Sequence, residues 1–408
     1  MLDLLIKNAV LVCTETGREI PASVGIENGR IKDILKTNNS ECSAPAVPHA
    51  ADLPEAREIL DAGGMYLLPG LVDFHTHLFR HGSSFGMDAD LLLSSGVTAA
   101  ADMGSAGWVN YPALHDCDLA GKLPRLTTFL NISPVGQPGR GIAEPLDDGV
   151  ISEEGIRKIL AEFPGCISGL KVRLSRGIVK ENGIRPLERA VELGGIFGLP
   201  VCVHTTDPPV PMDKIAEMLR PGDILSHMYH RQGHHAAEND GVLSGMLEAQ
   251  KRGVLMEVGN GTRNFNFQTA EQCLAAGLRP DIISSDATPM AFHSSPAMWD
   301  LARVMSKFLN LGVPLQEVIR AATATPAKAL GLGAAPEAAQ TAGLEAAPGA
   351  AKVTGIVPGN PADLALFRMD PEEILFCDSD GNERRGPCGL VPLMTVIGGR
   401  IVWKDQAL

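Results

Sequence analysis

Two histidines at i and i+2 close an apolar run in Leu71-Val72-Asp73-Phe74-His75-Thr76-His77. The two-residue period of a strand sends both imidazoles to one face. Neutral imidazoles gathered at the end of a barrel strand are a natural start for a metal site. Taken alone, the pair is also compatible with two unrelated polar residues ending a strand.

Four further runs end, or are interrupted, in the same way. Lys171 lies inside Ser168-Gly169-Leu170-Lys171-Val172, where an ammonium is costly to bury unless it is paired or modified. His204 closes Val201-Cys202-Val203, His227 closes Ile224-Leu225-Ser226, and Asp286 closes Ile282-Ile283-Ser284-Ser285. Any one of these could be a satisfied core polar group. All of them at strand ends of one barrel would make a constellation for metal-assisted hydrolysis.

The elements that must position these groups are legible in the hydrophobic pattern. Short β-branched runs fall at 70–77, 99–102, 126–131, 169–173, 200–204, 223–227, 255–258 and 281–286, and helical-period stretches such as 153–162, 186–193, 213–219 and 243–251 lie between them. Eight strands alternating with helices predict an α/β fold of the (β/α)8 TIM-barrel type. Both chain ends read as β structure, with Asn28-Gly29 as a hairpin signal. Neither end has enough strands for a sheet of its own. The expected organisation is therefore a small β-sandwich domain from 1–66 and 353–408, a metallohydrolase barrel over 67–332, and an Ala/Gly/Pro-rich insertion or flexible loop at 333–352.

Composition narrows the class. The 408 residues carry 35 basic and 48 acidic side chains, a net charge of −13, which argues against a nucleic-acid partner. No apolar run reaches the roughly 18 residues of a membrane helix. The eight cysteines form no C-x-x-C pair, and Cys13 and Cys202 sit among apolar neighbours, as buried thiols of a cytoplasmic protein would. A small-molecule substrate is expected, and homo-oligomerisation is compatible with the sequence.

The segments LPGLVDFHTH, GLKVR, VCVHT, ILSH and IISSDATP together resemble the amidohydrolase superfamily. GLKVRLSRGIVKENGIRPLERA and MWDLARVMSKFLNLGVPLQEVIRAATATPAKALGL are more closely similar to its dihydroorotase-like amidohydrolase/deacetylase branch, and GIVPGNPADLALF resembles the return to the β domain. The resemblance spans nearly the whole chain outside the Ala-rich insertion. It implies two divalent metal ions, expected to be zinc. His75, His77 and Asp286 would hold the more buried ion, and His204 and His227 the more exposed one. Lys171, N6-carboxylated, would bridge them. Asp286 would take a proton from the attacking water and pass it to the leaving group.

Substrate contacts are read from the loops that line this end of a barrel. Arg173, two residues after Lys171, could clamp a carboxylate or support the modified lysine. His230 and Arg231 are candidate contacts or members of a solvated loop. Asn260 stands where a histidine is expected in this branch, and His293 would contact substrate or cap its loop. Gly104-Ser105-Ala106-Gly107 and Asn260-Gly261-Thr262 could add small or backbone contacts, while His81 and His115 read as surface or supporting groups. The leading expectation is hydrolysis of an acyl bond in a carboxylate-bearing substrate, such as an N-acetyl amino acid or an acetylated 2-hydroxy acid. A cyclic amidase of dihydroorotase or hydantoinase type is the alternative. A metal-free scaffold is disfavoured by the filled ligand positions, and adenosine-deaminase-like chemistry by Lys171.

Overall fold

The computed structural model describes residues 1–36, 53–238, 241–332 and 355–408. The insertion expected at 333–352 lies outside the described residues. Five strands open the chain: β1 (Leu2–Val12), β2 (Glu19–Glu27), β3 (Arg30–Lys36), β4 (Ala56–Asp61) and β5 (Tyr66–Pro69). Six parallel strands follow: β6 (Leu71–Thr76), β7 (Val97–Gly107), β8 (Arg125–Asn131), β9 (Ile167–Arg173), β10 (Val201–His204) and β11 (Ile224–Ser226). The short pair β12 (Ala237–Glu238) and β13 (Gly241–Val242) precedes β14 (Leu255–Glu257), the seventh parallel strand. The chain finishes with β15 (Leu364–Asp370), β16 (Ile374–Cys377), β17 (Glu383–Gly386), β18 (Gly389–Ile397) and β19 (Arg400–Lys404).

The two chain ends pair into one eight-stranded sheet, in the order β19-β18-β15-β5-β1-β2-β3, with β4 beside β1. The join is β5 against β15, antiparallel, with Leu366 opposite Leu67. Both of these leucines are fully buried in a core shared with Ile6, Val24 and Val396. Asn28-Gly29 does join β2 to β3 as a two-residue turn, with Glu27 opposite Arg30.

The seven parallel strands curl in the order β6-β7-β8-β9-β10-β11-β14. The ring is closed by 282–287, which bridges to both edges: Ile282 pairs with Glu257 on one side and Ala287 with Thr76 on the other. This eighth segment is not a regular strand. The Ser285 N–H is taken by the Asp73 carboxylate at 3.0 Å, and Asp286 adopts φ 54°. Val72, Phe74, Met103, Phe129, Cys202 and Ile282 pack together, and Phe74 meets Phe129 edge-on at 5.4 Å. Ala327 and Leu330 join this cluster.

One detail of β6 departs from simple alternation. Asp73 pairs with Ala100 and Thr76 with Asp102, so three steps on β6 match two on β7. This is a β-bulge. It lets Val72 and Phe74 pack with the residues of the neighbouring strands while the odd-numbered His75 and His77 still turn toward Asp286.

Candidate metal centre

His75 and His77 place their Nε2 atoms 3.5 and 3.3 Å from the same oxygen, Asp286 Oδ1. These three residues form one group whose geometry could hold a metal ion. The rings continue in a chain. His77 and His75 have centroids 5.5 Å apart, His75 and His227 5.0 Å, and His227 and His204 4.5 Å. Lys171 is fully buried beside them and acts electrostatically on His75, His204 and His227. The fold thus brings together all six groups singled out in the sequence.

Hydrogen bonds fix which ring nitrogen is left free. His227 Nδ1 lies 2.9 Å from the Gly259 carbonyl, which can only accept, so Nδ1 carries the hydrogen and Nε2 keeps its lone pair. At His204 the outcome is reversed. The Ser175 hydroxyl donates to the Thr206 carbonyl at 2.7 Å, so it accepts from His204 Nε2 at 3.0 Å and leaves Nδ1 free. His75 Nδ1 faces Glu257 at 3.4 Å and the Ser226 oxygen at 3.3 Å, while the Ser226 hydrogen goes to Glu257. His75 Nε2 therefore presents a lone pair toward the Asp286 side. Such partners orient ligands and set their tautomers in metal sites. His77 Nδ1 is 2.9 Å from the Ser105 hydroxyl, and Ser105 is itself held by Asp102, which accepts from its N–H at 2.8 Å.

The charge states suit metal binding. Burial draws His75, His204 and His227 below their ordinary pKa, His227 to about 3, which favours the neutral form that a metal ligand needs. Burial alone would raise the Asp286 carboxyl, but His75, His77 and His227 hold it well below the usual carboxylate range. Its Oδ2 accepts from Asn264 Nδ2 at 2.7 Å. The side chain keeps 13% of its surface accessible, so an incoming molecule can reach it. His227 and Asp286 both adopt left-handed backbone, at φ 66° and 54°. Such conformations cost about 1–3 kcal/mol and persist where the surroundings over-determine them. Lys171 has an unusual environment for an ammonium. Among the described residues its Nζ donates to Cys202 Sγ alone, at 3.5 Å. Its stem passes Gly104, where a Cβ would lie 2.6 Å from Lys171 Cγ.

The loop candidates separate. Arg173 Nη1 donates to Glu144 Oε1, while Arg173 Nε and Glu144 Oε2 are buried without partners. His230 is fully buried; its Nδ1 accepts from the Gln232 N–H at 3.1 Å, so Nε2 bears the hydrogen, and this Nε2 has no partner. Arg231 lines a cavity of about 320 Å³ with Gly233, His235, Glu238, Gln268 and Gln272, a cavity in which none of the six clustered groups takes part. The Asn260 side chain is fully engaged, accepting from Lys307 and donating to the Gly261 carbonyl. His293 lies exposed against Phe292 and Trp299. His81 pairs with Asp118 and His115 with Asp116.

Glu257 escaped the sequence reading. It accepts from both the Ser226 and Ser284 hydroxyls and, with His75 and His227, forms a second potential ligand group. The signal was present: a carboxylate inside Leu255-Met256-Glu257-Val258 is as anomalous as the lysine that drew attention to Lys171. Asn264 and Ser175 gave no such signal, because small polar residues in loops are ordinary, whereas Ser105, expected to add a small contact, instead meets His77 Nδ1.

No protein-family profile matches the chain. Curated relatives do. A deacetylase of Agrobacterium fabrum is 28% identical over 360 residues, covering 88% of this chain and 84% of that protein. A deacetylase of Enterococcus faecalis is 28% identical over 403 residues, covering 98% of each. Among solved structures, a dihydroorotase superposes with a TM-score of 0.82 at 26% identity, covering 99% of this chain and 98% of that one. An adenine deaminase does so with 0.83 at 26%, covering 99% and 100%. The curated deacetylases and these two structures support an amidohydrolase superfamily assignment for the chain, in the dihydroorotase-like branch. This amidohydrolase is a hydrolase with a TIM-type barrel and a separate sheet built from its termini. Its family implies a binuclear divalent-metal site, and its His, Asp and Glu groups could hold metal. Enzymes of this kind act on small molecules. Among the described residues no helix is long and apolar enough to cross a membrane.

Proposed function

We propose that this amidohydrolase is a binuclear-metal deacylase that removes an acetyl group from a small carboxylate-bearing substrate, an N-acetyl amino acid or an acetylated 2-hydroxy acid. The observation that carries this reading is the free lone pairs on His75 Nε2, His227 Nε2 and His204 Nδ1, on rings that run in a contacting chain from the Asp286 carboxylate. The deacetylase relatives, which match over most of the chain, support the acetyl leaving group.

His75, His77 and Asp286 would hold one ion, His204 and His227 the other, and an N6-carboxylated Lys171 would bridge them. The donor set fits. A carbamate turns a buried cation, partnered among the described residues by a thiol alone, into an anionic ligand. When bound, two divalent ions, zinc by preference of the imidazole-rich set, supply Lewis acidity and activate water near neutral pH. The chain's own residues do the rest. Asp286, fixed at Oδ2 by Asn264, accepts the water proton at Oδ1 and delivers it to the leaving group. The unpaired Nε–H of Arg173 and Nε2–H of His230 are buried donors whose desolvation an anionic or carbonyl oxygen would compensate. The barrel, 67–332, would carry the chemistry, and the unit from 1–66 and 353–408 would brace it.

The dihydroorotase structural neighbour keeps a cyclic amidase as the second reading. Assay of zinc-loaded protein against N-acetyl amino acids and acetylated 2-hydroxy acids, with dihydroorotate and hydantoins alongside, separates the two. Turnover confined to the cyclic amides would overturn the deacylase reading. Asp286→Asn is expected to retain much of its metal and to lose turnover by a factor on the order of 10²–10⁴. Unchanged turnover in metal-loaded Asp286→Asn would remove Asp286 from the proposed role.

A further inference from the structure

Among the described residues Lys307 is, with Lys171, one of two fully buried lysines, and the chemistry above does not use it. It lies on the helix Leu301–Asn310 and is 2% exposed. Burying an ammonium is costly unless every donor is met. Here three acceptors surround Nζ: Asn260 Oδ1 at 2.7 Å, the Ala297 carbonyl at 3.3 Å and the Cys377 carbonyl at 3.4 Å. They come from three separate segments: the turn after β14, the loop after 282–287, and the end of β16. The face of Phe265 lies 4.4 Å from the cation. An ammonium has three donors, so this one is saturated.

The contact with Asn260 leads to the reactive carboxylate. Asn260 Nδ2 donates to the Gly261 carbonyl at 2.7 Å, and Asn260 N donates to the Ser284 carbonyl at 3.2 Å. Gly261 N donates to the Ser285 carbonyl at 2.8 Å. Gly261, at φ 46°, sits so close to the carboxylate that a Cβ there would be 2.6 Å from Asp286 Oδ2. Asn264, three residues on, donates to that same oxygen. The 260–264 turn is therefore the wall that decides where Asp286 stands.

We propose that Lys307 is a positioning residue for catalysis: it clamps Asn260, and through the 260–264 turn sets the position of the Asp286 carboxylate. The inference rests on Asp286 as the proton acceptor. It also gives Asn260 a part that needs no substrate contact.

The test uses Lys307→Met, which keeps the stem and removes the cation, together with Asn260→Leu and the double variant Lys307→Met/Asn260→Leu. The double variant replaces both partners by apolar groups, which spares the fold an unpaired buried polar group. Burial draws the Lys307 pKa down to about 7, with Asp378 and Cys377 opposing, so the assays are run at pH 6.5, where the ammonium carries its charge. Misplacement of a reacting group by about 1 Å can cost on the order of 100-fold. Lys307→Met is expected to lower kcat by about 10- to 100-fold, with KM and bound metal per chain near parental values. The double variant should lose no more than the worse single variant. Parental kcat in Lys307→Met, joint loss of kcat, KM and metal, or losses that multiply in the double variant would overturn the proposal. Asp286→Asn is measured in parallel. If it keeps its turnover, the role of Asp286 fails first; if it is inactive while Lys307→Met is normal, the positioning inference alone fails.

Discussion

Glu257 shows how a single side chain can tune the site without being an obvious ligand. Burial by itself would raise its pKa, but the His75 ring, His227 and the Ser226 hydroxyl hold the carboxyl down to about 2. It is thus an anion facing His75 Nδ1, and its charge strengthens the donor capacity of Nε2 on the far side of the ring. Glu257→Gln retains the shape and loses the charge. It is expected to weaken metal affinity by about 10- to 100-fold, with a smaller effect on kcat at saturating metal. Titration of the stripped protein with zinc, followed by activity, reads this directly, and an unchanged midpoint would leave Glu257 with no part in tuning His75. Of the site residues, the sequence exposed those whose type clashed with an apolar run. It could not expose Asn264 or Ser175, whose importance lies in which atom faces them across the barrel.

At the level of elements, seven of the eight expected barrel strands and the helices between them followed from local patterning, while 281–286 forms isolated bridges in place of a regular strand. Glu153–Glu162 forms the expected helix with Ser152 as its N-cap, and the Ser152 oxygen accepts from the Gly155 N–H. The bulge in β6 could not be read, because it depends on how β6 and β7 pair. The helix Leu301–Asn310 carries a testable tension at its start. Asp300 caps it, accepting from the Arg303 N–H at 2.8 Å, yet burial raises the carboxyl from 3.8 to about 6, against the pull of Arg303. Between those values the folded chain binds a proton that the unfolded chain does not. Stability contributed at this position is therefore present at low pH and is lost as pH rises through 6. Asparagine caps equally well and carries no charge. Asp300→Asn should match the parent near pH 4 and exceed it by about 2–4 °C in melting temperature at pH 7.5. A constant difference between the two variants across that range would show that the buried charge is not the cause.

At the scale of the whole molecule, ion binding is expected to stabilise the fold by mass action. The proposed ligands lie on β6, β9, β10 and the 282–287 segment or, as His77 and His227, one residue past the ends of β6 and β11, and so are spread around the barrel. An ion held by them binds the folded chain far better than the unfolded one and adds about 4 kcal/mol at a thousandfold excess over Kd. Chelation should lower the melting temperature, and zinc or another divalent ion should restore it. Identical melting curves for protein verified as stripped and as reloaded would count against a site spanning these strands.

The sequence by itself determined the barrel, the terminal sheet and the six anomalous residues, because each is a local violation or a local period: a polar group at an apolar strand end, or alternation of two residues against three to four. Only the tertiary structure decided which nitrogen of each histidine is free, that Glu257 faces His75, and that Lys307 reaches the turn beside Asp286. The physical reason is distance along the chain. His75 and Glu257 are 182 residues apart in sequence and 3.4 Å apart in space. Hydrogen-bond geometry at that range is set by barrel closure, which no local pattern encodes. His75-Thr76-His77 was legible as a pair, but its direction awaited the bulge that turns it inward.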